Sequence, residues 1–175
     1  GVLFEGSGCA EETGTLWECP QFVRLPDGDV LIVSVHDGAR EDPMLHVLAF
    51  VGHVSNGRFA AHSVQRLDGG DVFYAPAVLS LAHRHLLWGW LRDPEPDLNV
   101  ADPRVGALSV PRELRFAGDD VVTPPAPELH SLRTASQAKE SIDLRDSALV
   151  DVAALPRHAE LTCRLTGPGD VVLDA

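Results

Sequence analysis

The sequence predicts an all-β chain, and three observations carry that reading. Short apolar runs rich in Val, Leu and Phe recur at close spacing, Gly, Pro, Asp or Asn closes each of them, and their pattern is that of strands rather than of amphipathic helices. The hydrophobic share of 45% is that of a globular protein.

Taken in order, a first strand includes Gln21-Phe22-Val23, and further strands are predicted over Val30 to Val35, Leu45 to Val51, Val72 to Leu81 and Leu86 to Leu91. Pro26-Asp27-Gly28-Asp29 and Ser55-Asn56-Gly57-Arg58 supply the residues that tight hairpins need. Such strands form meandering antiparallel sheet. A four-stranded propeller blade takes about 40–45 residues, so the stretch from Gly1 to about Arg115 is expected to hold between two and three blades.

The composition shifts at residues 117–127, where Gly118-Asp119-Asp120 and Pro124-Pro125-Ala126-Pro127 read as a linker between domains. Residues 1–116 then form the propeller portion and 128–175 an incomplete β-sandwich. Within the latter, Glu128 to Glu140 reads as short helix or irregular chain, and Ile142 to Val152 and Ala159 to Leu173 read as strands. Gly1-Val2-Leu3-Phe4 begins in an apolar stretch without a polar lead-in, and reads as a truncated start.

The net charge of −12 repels phosphate backbones and anionic lipid, which disfavours nucleic acid and membrane surfaces as partners and leaves a neutral ligand such as a sugar. No apolar run approaches the roughly 20 residues that span a bilayer. Cys9, Cys19 and Cys163 form neither a disulfide framework nor a CxxC pair, and the eight histidines show no paired spacing, so no metal or other cofactor is expected. The odd cysteine count leans toward a reducing, cytoplasmic compartment.

Chemistry concentrates at Trp17-Glu18-Cys19-Pro20, where a carboxylate stands between a large aromatic and a small apolar residue. Such a setting strips water from a carboxyl group and favours the neutral form that a general acid needs. Glu18 is therefore the candidate acid, the alternative being a satisfied structural residue.

Five segments in order resemble glycoside hydrolase family 32, the bacterial sucrose and fructan hydrolases. Trp17-Glu18-Cys19-Pro20 looks like the family's Glu-Cys-Pro element, and Phe50-Val51-Gly52 with Gly57-Arg58-Phe59 looks like its strand and hairpin. The stretch from Asp68 to Pro76, ending Phe73-Tyr74-Ala75-Pro76, is similar to its Asp-x-Gly and Phe-Tyr-Ala element. Leu87-Trp88-Gly89-Trp90 resembles the strand with Trp-Gly-Trp, and the segment ending Pro111-Arg112-Glu113-Leu114 resembles its Pro-Arg-Glu-Leu. The resemblance covers about Val2 to Arg133.

It implies the later blades of a five-bladed β-propeller followed by a β-sandwich, and cleavage of fructosyl bonds by a nucleophile and an acid/base carboxylate about 5–5.5 Å apart. Glu18 matches the acid/base. The family's nucleophile lies in a Trp-x-Asn-Asp-Pro element that these 175 residues do not contain. A missing first half, or self-association, is accordingly an expected partner, beside a fructose-containing sugar. Trp17, Asp71, Tyr74 and Trp88 are candidate substrate-binding residues, Tyr74 through its phenol and Trp88 by stacking on a sugar ring, although core packing competes for Trp88 and Trp90.

Val72 and Ala77 depart from the family's usual residues and leave the role of Asp71 open. Arg92-Asp93-Pro94 spells the family's Arg-Asp-Pro triplet but stands after Trp88-Gly89-Trp90 instead of before Glu18, and reads as a solvated Pro-rich loop. Two rival functions are a degenerate or non-catalytic carbohydrate-binding propeller and an arabinan or xylan hydrolase. The second of these leaves the Phe-Tyr-Ala and Pro-Arg-Glu-Leu elements unexplained.

Overall fold

The structure is a computed structural model and describes Phe4, residues 11–93 and 105–136, and Glu160, Thr162 and Arg164. Two antiparallel sheets make up the first compact unit, which ends at Leu132. Strands β1 (Leu16–Leu25), β2 (Gly28–His36), β3 (Met44–Ser55) and β4 (Arg58–Arg66) pair in chain order. The second sheet contains β5 (Phe73–Ser80), β6 (His85–Leu91), β7 (Ala107–Leu108), β8 (Arg112–Ala117) and β9 (Asp120–Val122), with order β5-β6-β8-β9 and β7 beside β6. Each is a meander of the kind that builds a propeller blade, and the described residues hold two of them.

The hairpins form where their turn residues require. Asn56 and Gly57 have φ of +53° and +74°, the pair of positive values that a two-residue hairpin turn with the right twist needs, and they join Ser55 to its partner Arg58. Pro26 and Asp27 similarly join Leu25 to Gly28.

Strand β2 is buried on both faces, which is why Val30-Leu31-Ile32-Val33 runs apolar without alternation. Its even-numbered side chains Val30 and Ile32 face a core shared by the two sheets, with Val23, Val47, Ala49 and Val51 on one side and Phe73, Leu87, Leu114 and Val121 on the other. Gly89 lies in this core because no side chain fits there: a Cβ would come within 2.3 Å of the Phe73 ring. Leu87 and Gly89 therefore face inward, and the alternate residues Leu86, Trp88 and Trp90 face away.

The opposite face of the first sheet carries a second apolar cluster of Leu31, Val33, Val35, Leu48, Phe50 and Phe59. Aromatic side chains of the same chain pack over it. The Phe4 ring meets Phe50 at 5.0 Å and Phe59 at 5.4 Å, and Trp17 meets Phe50 at 5.1 Å. On the outer face of the second sheet, by contrast, Leu79 and Leu108 are exposed.

Residues 117–127, expected as a linker, instead contain the hairpin that closes the second sheet and a bridge back to it. Gly118, with φ of +66°, makes the tight turn that returns β8 into β9, Arg112 bridges to Pro125, and Ala126 is buried. A Gly-Asp turn inside a hairpin and a Pro-rich end have the composition of a connector, which is why sequence alone could not separate them. A 3₁₀ helix, Pro127–Leu132, follows. The second compact unit runs from Arg133, whose guanidinium pairs with Glu160 at 2.6 Å. The strands expected over Ile142 to Val152 and Ala159 to Leu173, and with them the sandwich, lie outside the described residues apart from Glu160, Thr162 and Arg164.

Candidate active site

The first strands of the two sheets, β1 and β5, lie in contact, and each is interrupted by a bulge at the residue of interest. In β1 the pairing with β2 shifts register between Glu18 and Gln21, and Cys19 takes φ of +47°. In β5 the pairing with β6 shifts between Tyr74 and Ala77, and Ala75 takes φ of +46°. A left-handed residue other than Gly or Asn carries backbone strain, and an extra residue bends the strand and re-aims its side chains. Two such bulges, one immediately after Glu18 and one immediately after Tyr74, turn these side chains toward each other.

The Tyr74 hydroxyl donates to Glu18 Oε2 at 2.8 Å, with the Val35 carbonyl at 3.2 Å as a more distant acceptor. A phenol has one proton, and the shorter contact to a carboxylate takes it. Backbone and side-chain bonds fix the pair from behind. Ser34, fully buried and opposite Glu18 in the register, accepts from the Ala75 N–H at 3.0 Å. Gln21 Oε1 accepts from the Val78 N–H at 3.2 Å.

Glu18 is half-buried while Cys19 and Pro20 beside it are exposed, so the apolar enclosure expected from its sequence neighbours is only partial. Its environment comes from β5 rather than from Cys19 and Pro20. Tyr74 is 3% exposed. Burial first, then the hydrogen bond to Glu18 and the Glu18 charge, push its phenol far above the ordinary range. It is therefore a neutral donor throughout the physiological pH range.

That shift gives a pH prediction with a definite sign. A group whose folded value is raised contributes stability that is complete below its unfolded value, about 10 for tyrosine, and is lost as pH climbs from there toward the folded value. Tyr74 is the sole tyrosine of the 175 residues, so tyrosinate absorbance reports it alone. The folded chain is expected to ionise well above pH 10, with its denaturation midpoint falling over the same range, and the unfolded chain at about pH 10. A folded-state transition near 10 would show that the phenol is solvated.

The remaining candidates are distributed differently. Trp17 points to the opposite side of β1 from Glu18, into the Phe4 and Phe50 cluster, and its indole N–H donates to the Thr13 carbonyl at 2.9 Å. The Asp71 side chain is exposed, and its backbone carbonyl accepts from Arg92 Nη2 at 2.9 Å. Trp88 is partly exposed on the outer face of the second sheet, and Trp90 on the same face donates its indole N–H to the Val105 carbonyl at 3.0 Å.

Arg92 corrects the solvated-loop reading of its triplet. Its side chain is 6% exposed, although Asp93 is exposed and Pro94 lies outside the described residues. The Arg92 N–H still bonds the Val72 carbonyl at 2.8 Å, so the residue continues the β6 ladder and sends its side chain to the face of Trp88 and Trp90. Ser34, Gln21 and Arg92 were not singled out as site residues from sequence. The signals available were a lone polar residue within the apolar run from Val30 to Val35 and the period-two spacing Trp88, Trp90, Arg92. Among the described residues no group of three or more His, Cys, Asp or Glu is arranged to hold a metal.

Residues 4–125 match the protein family described as the glycosyl hydrolases family 32 N-terminal domain. The chain belongs to glycoside hydrolase family 32. Its relatives include the sucrose-6-phosphate hydrolase of Bacillus subtilis, 28% identical over 86% of this chain and 34% of that protein. The sucrose-6-phosphate hydrolase of Vibrio alginolyticus is 32% identical over 70% of this chain and 28% of that protein. Among solved structures, a Bombyx mori GH32 beta-fructofuranosidase superposes with a TM-score of 0.64 at 26% identity, over 78% of this chain and 30% of the other. A mutant of that silkworm enzyme has been determined in complex with sucrose. The family 32 chain described here thus spans about a third of the length of the relatives it matches.

Proposed function

We propose that this chain supplies the acid/base half of a retaining hydrolase that cleaves fructosyl bonds of sucrose or a fructan. The observation that carries the reading is the meeting of Glu18 and Tyr74 across two bulged strands at 2.8 Å, in a chain whose family is established. A carboxyl fixed in this way can give its proton to the departing sugar oxygen and then take one from the attacking water. The Tyr74 phenol orients it in both stages. The curated relatives are named for sucrose 6-phosphate and the silkworm neighbour was determined with sucrose, and a fructoside of the sucrose type is the substrate proposed here.

The attacking carboxylate belongs to a segment outside these 175 residues, in keeping with the absent Trp-x-Asn-Asp-Pro element. Two acidic residues of the chain that are candidates to replace it are otherwise engaged or placed. Asp68 pairs with Arg112 at 2.5 Å and accepts from the Gly70 N–H, and the Asp71 side chain is exposed.

A fructose-release assay on the purified chain tests this division. No release from sucrose is expected from the chain alone, and release is expected once a nucleophile-bearing segment of the family is joined to it. Turnover by the chain alone that Glu18→Gln abolishes would place a nucleophile inside it, with Asp68, Asp71 and Asp93 as the residues to replace next.

A further inference from the structure

We propose that Arg92 is a positioning residue for the Tyr74–Glu18 pair: its buried guanidinium clamps the ends of two loops and holds the Tyr74 ring beneath Glu18. Four contacts place it. Nη1 lies 3.0 Å from both carboxylate oxygens of Asp42, in the connection between β2 and β3. Nη2 donates to the Asp71 carbonyl at 2.9 Å, in the segment that leads into β5. The backbone N–H holds the Val72 carbonyl, two residues before Tyr74. The guanidinium carbon stands 5.9 Å from the centre of the Tyr74 ring, within cation–π range.

A role in stability alone accounts poorly for this arrangement. Its ion-pair partner Asp42 is about half exposed, so solvent screens the attraction, and Arg92 Nε is buried without a hydrogen-bond partner among the described residues. An unsatisfied buried donor costs stability, and an apolar side chain of similar length would avoid that cost. What an apolar side chain cannot do is tie Asp42, Asp71 and the Tyr74 ring together at once. A planar fork with several donors can.

The inference rests on the acid/base reading of Glu18 for its functional meaning, but its test does not. Tyr74 titration reports the position of the ring whether or not Glu18 transfers a proton. The charged and titratable groups facing the phenol are Glu18 and Cys19 from β1 and Arg92 from the end of β6, with Asp42 behind Arg92. Burial is the largest cause of the raised phenol and the Arg92 charge, which lowers it, the smallest. The two consequences of removing Arg92 therefore have opposite signs. Loss of the charge with the ring held in place moves the Tyr74 transition upward. Release of the ring to solvent moves it down toward about 10.

The experiment is a tyrosinate titration of the 175-residue chain as wild type, Arg92→Met and Arg92→Lys, with the denaturation midpoint measured alongside. For Arg92→Met the transition is expected to fall to about pH 10 while the chain still unfolds cooperatively. Arg92→Lys keeps the charge but has a single ammonium in place of the fork, and an intermediate transition is expected. A transition in Arg92→Met that stays where it is in the wild type, or rises, overturns the proposal even if stability drops, because that is what a purely structural arginine would give. If Arg92→Met fails to fold, Arg92→Lys decides: a lowered transition supports the clamp and an unchanged one overturns it.

Discussion

In a protein that joins this chain to a nucleophile-bearing segment, Glu18→Gln is expected to lower sucrose turnover by about 100- to 10,000-fold, the usual contribution of a positioned general acid or base. The substitution is conservative where it needs to be. The glutamine carbonyl can still accept from the Tyr74 hydroxyl, so the seam between β1 and β5 is retained and the loss reports proton transfer rather than folding. The loss should be smaller for a fructoside with an activated leaving group, which departs without needing a proton. An equal loss on both substrates would remove Glu18 from the acid role. Tyr74→Phe makes a useful companion, because it deletes one hydrogen bond to a carboxylate without emptying the buried site, and such a bond is worth about 1.5–3 kcal/mol. It should therefore lower turnover by roughly tenfold or more.

The strands were legible in the sequence because their determinants are local. Each run predicted between Gln21 and Leu91 lies within or closely overlaps an observed strand, and both tight turns fall where Pro, Asn, Asp and Gly put them. Less was legible where a strand owes its existence to a neighbour. Arg58–Arg66 pairs along β3 as an edge strand, and its sequence RFAAHSVQR carries no strong apolar alternation beyond Phe59. Asp120–Val122 is ordered by β8 and its tight turn, in a stretch that otherwise has the composition of a connector.

The site divides in the same way. Glu18 and Tyr74 were legible as residues, but their meeting was not, because it depends on two bulges whose left-handed residues are Cys19 and Ala75. Neither residue type announces a positive φ, as Gly or Asn would. Arg92 was misread for a related reason. The Pro and acidic residues that follow it suggest solvent, while its own place is set by a ladder hydrogen bond to Val72 and by contacts with Asp42 and Asp71, distant in sequence. Trp17 illustrates the reverse case, since its closeness to Glu18 in sequence suggested a shared pocket. Alternation along β1 instead sends its ring to the other face of the sheet.

That other face carries the second large effect. Phe50→Ala is expected to destabilise the chain by about 3–5 kcal/mol, the range for removing a fully buried phenylalanine, against a whole-domain stability of roughly 5–15 kcal/mol. Phe50 is fully buried and stands at the centre of the outer cluster, with the Phe4 and Trp17 rings about 5 Å away. The cavity would be lined on one side by Val33, Val35 and Leu48, which lie on paired strands and can collapse little. Phe22→Ala is the control: the residue is 38% exposed and its ring has an edge contact to Phe59 at 5.6 Å, so about 1 kcal/mol or less is expected. Denaturant midpoints measure both, and light scattering separates two explanations of how this face is kept from water. If the chain's own aromatic residues close it, Phe50→Ala lowers the midpoint at every protein concentration. If a second copy covers it in solution, the wild type has the mass of a dimer, and the substitution releases a folded monomer whose midpoint no longer depends on concentration.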